Sequence, residues 1–99
     1  MRNSAEIAAL HAAAKTAAAN ATPSLKARGI MGRIRVQSRD DMAYVAVRVV
    51  VEQTWGDSMA QDRDTAAALV LGALRAAGLV SYSAGDGHIR VEGMARAAA

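Results

Sequence analysis

Two histidines, a few serines and a group of aspartates are the side chains in these 99 residues that could hold a metal or move a proton. None is spaced to do so. His88 follows Gly85-Asp86-Gly87, and His11 lies among alanines; a metal site needs three or four converging ligands. Asp57, Asp62 and Asp64 lack EF-hand spacing and a closing glutamate, and acids collect at helix starts because the macrodipole favours them there. Ser58, Ser81 and Ser83 have no histidine–carboxylate constellation. Gly85-Asp86-Gly87 has neither the lysine nor the following helix of a phosphate loop, and reads as a tight turn. There is no cysteine, which excludes disulfides and thiolate chemistry. The sequence therefore predicts no enzyme, no catalytic residue, no metal or cofactor and no small-molecule substrate.

Arginine is the other candidate, and its placement depends on the strands that carry it. With a turn at Ser38-Arg39-Asp40-Asp41, Ile34 faces Val45, Val36 faces Ala43, Gly32 faces Val47 and Ile30 faces Val49. The other face pairs Arg35 with Tyr44, Arg33 with Ala46 and Met31 with Arg48. Around Gly85-Asp86 the same rule sets Val80 against Val91 and Tyr82 against Ile89, with Ser81 meeting Arg90 and Ser83 meeting His88. Side chains alternate with period two, so each hairpin acquires one apolar face and one polar face. Arg33, Arg35, Arg48, Arg90 and His88 then point away from the core together with Tyr44, Met31 and Val50. The acids are expected elsewhere, at Asp40 and Asp41 and at the start of the second helix.

Helical spacing supplies the second layer. Asn3 reads as a cap with Glu6 returning the bond, and Ile7, Leu10, Ala14, Ala17, Ala18 and Ala21 share one face over residues 1–22. Thr22-Pro23 should end that helix by Asn20, leaving a basic connector over residues 25–29. The first hairpin spans residues 30–53, its second strand running from Met42. Trp55, at the strand-to-helix junction, is expected to plug the sandwich edge; exposed there, it would instead mark a partner contact. A second helix over residues 58–77 is capped by Ser58 with Gln61, carries Ala66, Val70, Ala73, Leu74 and Ala77 inward, and stops at Gly78. A second hairpin over residues 79–92 and a tail over residues 93–99 complete a single domain. The predicted fold is an α+β two-layer sandwich, helix–hairpin–helix–hairpin, with two helices on one face of a four-stranded sheet of unspecified strand order. Its core should comprise Ile34, Val36, Val45, Val47, Val49, Val70, Leu74, Val80, Ile89 and Val91.

That core is thin. Of the residues, 25 are alanine and none is phenylalanine, and an alanine methyl buries far less than a leucine or valine side chain. Part of the stability is therefore expected from self-association. The net charge of +3 permits an anionic partner without requiring one. No apolar run approaches the roughly 20 residues of a membrane helix. Glu6, His11 and Lys15 interrupt any signal-peptide core, so the chain is expected in the cytoplasm or in a virion.

Three readings of the arginine face stand together at this level: a solvated surface, a protein joint, and a phosphate-binding surface. Two family patterns fail on residues. A winged helix-turn-helix would begin its recognition helix on Asp62-Arg63-Asp64, which repels phosphate, and the Gly-x-x-Gly clamp of KH-like domains is absent. Residues 30–79 are similar to the small head–tail joining proteins of tailed phages, in particular tail terminators: a twisted hairpin, a long strand through Val45 and Val51, a polar break from Glu52 to Asp57, then an amphipathic helix. The resemblance implies a non-catalytic virion subunit acting as a stacked oligomeric ring. The expected function is thus a structural assembly subunit whose partner-binding residues are Arg33, Arg35, Tyr44, Arg48 and Arg90; a small nucleic-acid-binding module using the same face is the alternative.

Overall fold

The computed structural model describes residues 3–38, 43–53 and 59–94. Asn3 accepts the Glu6 amide at 2.8 Å and starts α1 (Ser4–Ala19), satisfying one of the amides a helix start leaves bare. Glu6 answers through its side chain, accepting from Asn3 Nδ2 at 3.5 Å. Asn3→Ala is expected to cost about 1 kcal/mol, read as a lower urea midpoint at unchanged slope. The predicted stripe of α1 is buried, from Ile7 through Ala18 to Ala21.

The chain does not fall into a connector after Asn20. A short helix, α2 (Thr22–Ala27), follows, with Pro23 in its first turn. Proline is tolerated there because its missing N–H would have had no helical partner. Leu25 anchors α2 in the core. The remaining elements are β1 (Met31–Gln37), β2 (Val45–Gln53), α3 (Met59–Ala76), β3 (Leu79–Gly85) and β4 (His88–Met94). Strand two therefore begins three residues later than Met42, and Gly93 and Met94 belong to β4 rather than to a tail. Arg39, Asp40 and Asp41 of the first turn, Trp55, Asp57 and the Ser58 cap, and residues 95–99 lie outside the described residues.

The four strands form one antiparallel sheet in the order β1-β2-β4-β3. Both long helices pack on the face carrying Val45, Val47, Val49, Ile89 and Val91, giving an α+β two-layer sandwich. Its largest fully buried side chains are one leucine, one isoleucine and four valines. Ile34 and Val36 are only partly buried, at the margin of this core.

Both hairpin registers differ from the prediction. In the first, Ile34 pairs with Val49 and Val36 with Val47, a displacement of four residues that makes room for a longer loop. An even displacement keeps every side chain on its face. The second hairpin turns at Asp86-Gly87, where both residues have positive φ (52° and 81°). This is the backbone of a two-residue turn that follows the twist of its strands. Two irregularities, one between Ser83 and Gly85 and one between Val80 and Ser81, shift the pairing of β3 by single residues. The inner face of β3 is consequently Leu79 and Ser81. Val80 leaves the core, Tyr82 is 49% exposed, and Ser81 is 3% exposed with its hydroxyl donated to the Leu79 carbonyl.

Candidate interaction face of the sheet

Strand parity carries the arginines outward, and the strand order decides which of them meet. Arg35 lies opposite Arg48, and Arg48 lies opposite His88, so three basic side chains form one row across β1, β2 and β4. This replaces the expected pairings of Arg35 with Tyr44, Arg48 with Met31 and His88 with Ser83. Like charges directly across a sheet destabilise it unless an anion offsets them. Among the described residues no carboxylate pairs with Arg35 or Arg48.

The neighbouring rows are mixed. Arg33 stands opposite Val50, not Ala46, and forms an ion pair with Glu52. Arg90 lies between Ala46 and Tyr82, with its guanidinium 3.7 Å from the Glu92 carboxylate. It also lies 4.0 Å over the ring of Tyr44, which sits half-buried just before β2. Such a cation–ring contact is worth roughly 0.5–1 kcal/mol near solvent, comparable with a good surface ion pair. It holds Tyr44 against the face. Met31 is exposed beside these groups.

The acids are not all elsewhere, as the sequence reading had them. Glu52 and Glu92 interleave with the arginines because they share the parity of Arg48 and Arg90 along their own strands. That signal was present in the sequence. One second-helix acid has its own partner: Arg63 reaches both Asp64 (3.4 Å) and, in the β3–β4 turn, Asp86 (3.3 Å), clasping that turn against α3.

His11 shares a 2.7 Å hydrogen bond between Nδ1 and the Ser38 hydroxyl. Among the described residues no three histidines, aspartates or glutamates gather to hold a metal ion. The Ser81 hydroxyl is taken up by the Leu79 carbonyl, and the Ser83 hydroxyl accepts from the Gly85 amide at 3.4 Å. No helix among the described residues is long and apolar enough to cross a membrane.

Fold and face together define an α+β two-layer sandwich with one layer of helices and an open, charged sheet surface. No family model, curated protein or solved structure matches the chain.

Proposed function

We propose that this protein is a non-catalytic assembly subunit that works as an oligomer, using the open face of its sheet as a joint. The observation that carries the reading is the composition of that face. Arg35 and Arg48 stand unpaired among the described residues, beside Tyr44, Val50 and Met31, with Glu52 and Glu92 in between. Desolvated aromatics and arginines with a mixed polar surround are what protein joints use. A phosphate backbone would be met by cations without interleaved glutamates, so the two acids weigh against the nucleic-acid alternative. A small alanine-rich core adds a thermodynamic reason, since a partner that binds only the folded state stabilises it by mass action. The particular form proposed is the virion head–tail joint to which residues 30–79 bear their resemblance. There, unlike patches of neighbouring copies would close a ring.

Light scattering over a range of concentrations tests the joint. The wild-type chain should exceed its monomer mass of 10.3 kDa. Arg35→Glu and Tyr44→Ala should shift it toward that mass by at least tenfold in dissociation constant, with circular dichroism unchanged. A wild-type chain that stays monomeric at millimolar concentration and unfolds cooperatively would sink the proposal. Duplex DNA binding that falls with a log–log salt slope near −0.9 per neutralised phosphate would instead select the nucleic-acid reading.

A further inference from the structure

The two edges of the sheet are finished differently. At the β3 edge, Arg75 of α3 donates through Nε (3.2 Å) and a terminal nitrogen (3.0 Å) to the Ser81 carbonyl. A covered edge cannot accept another strand there. The β1 edge carries no such cover among the described residues. Its free groups can be assigned. The Val49 amide donates to the Gly87 carbonyl, on the β4 side of β2, at 2.8 Å. Because an antiparallel ladder alternates its bonds, Arg48 and Val50 turn toward β1 and engage Arg35 and Arg33. Ile34 and Val36 are left with N–H and C=O on the open edge.

Beside that edge runs an apolar cleft between β1 and the helices. One part, about 400 Å³, is lined by Leu25, Ile30, Ile34 and Val36, with Lys15 and Lys26 at its rim. A second part, about 310 Å³, continues along β1 to Gln37 and shares Lys15, Ile34 and Val36 with the first. The cleft thus follows the strand over nearly its whole length. Its one carboxylate among the described residues, Glu52, is drawn to Arg33. Neither lysine has an acidic partner among the described residues.

We infer that the β1 edge and this cleft form a binding site for an extended segment of a partner polypeptide, one that alternates apolar and acidic residues. The segment adds to the sheet as a fifth strand through the Ile34 and Val36 backbone groups. Its alternate side chains then enter the cleft, and those between them meet Arg33 and Arg35 on the outer face. Acidic residues fit that outer row, and the lysine rim favours acids at the segment's ends. A second copy of β1 does not fit. In the fullest same-face overlaps of β1 with itself, Arg33 falls opposite Arg35, or one of these arginines falls opposite its own copy, which repels. The site shares Arg33 and Arg35 with the sheet-face joint, but its test reads the strand edge and the lysine rim and does not depend on that joint.

The probe is a fluorescein-labelled eleven-residue peptide with valine at every second position and glutamate between the valines and at both ends. Fluorescence anisotropy with the full chain should show saturable binding, and amide exchange at Ile34 and Val36 should slow at least tenfold in the complex. Lys15→Glu with Lys26→Glu, both on exposed side chains, should weaken binding at least tenfold while the far-ultraviolet spectrum stays the same. A peptide N-methylated at alternate residues, which can no longer donate to the edge, should lose binding against the unaltered protein. Replacing its glutamates by lysine should do the same. Failure of the glutamate peptide to saturate at millimolar concentration, or exchange protection confined to residues other than Ile34 and Val36, overturns the assignment.

Discussion

Replacing Gly87 with alanine is expected to lower the stability of the domain by about 2–4 kcal/mol, and its melting temperature by roughly 10–25 °C. Two effects add at this position. Gly87 has φ 81°, where a Cβ meets the backbone. A Cβ built there also lies 2.6 Å from the Val49 carbonyl oxygen and 3.2 Å from the aliphatic stem of Arg63. The turn must then move away from β2, and the bond from the Val49 amide to the Gly87 carbonyl is strained or lost. Gly85→Ala isolates the first effect, since Gly85 has φ 83° but nothing within 4 Å of its Cβ position. It should cost only about 1 kcal/mol. Thermal unfolding followed by circular dichroism measures both. Equal losses in the two variants would show that the turn does not bear on β2 as described.

Leu74→Ala should be comparably severe, at about 3–5 kcal/mol. Leu74 is fully buried in α3 and is the only leucine among the largest fully buried side chains. Its fellows in that set are Val45, Val47, Val70, Ile89 and Val91, β-branched residues held stiffly at χ1. They cannot swing into the space a leucine leaves, so most of the cavity persists. A domain of this length has roughly 5–15 kcal/mol in total, which leaves the variant close to half-unfolded at the low end. Urea unfolding should show a much lower midpoint with an unchanged slope. Leu69→Ala, at a partly buried site one turn away, should cost less than half as much. A loss at Leu74 no larger than at Leu69 would mean the core relaxes freely.

Much of the interaction face could be read from alternation. Val45, Val47 and Val49 can only face a core together, which sends Ala46, Arg48 and Val50 the other way whatever strand lies alongside. The same reasoning places Arg33 and Arg35 outward, and it extends to Glu52, which follows Arg48 and Val50 at every second position, and to Glu92, two residues after Arg90. Alternation is blind to an even displacement, so the four-residue difference from Gly32 to Val36 left those faces intact while replacing every partner; only at Met31, beyond an irregularity next to Gly32, is the displacement odd. It is least secure where a bulge intervenes. In β3, Val80 and Tyr82 have the composition of an inner face and Leu79 and Ser81 only half of one. The turn at Asp86-Gly87 and the two irregularities beside it reverse that choice, and a local apolar count carries no term for either.

Helix stripes (but for Ala77, which lies exposed past the end of α3), the Asn3 cap, the two-layer class and the outward arginines were thus determined by the sequence alone, because each depends on contacts or periodicities within a few residues. Strand order was not. It rests on how two hairpins and three helices share one small core, a choice among arrangements with nearly the same local pattern. From that order follow the row of Arg35, Arg48 and His88, the contact of Arg90 with Tyr44, the covered β3 edge and the open β1 edge beside its cleft. Each joins residues far apart in the chain, and only the packed sheet brings them within reach.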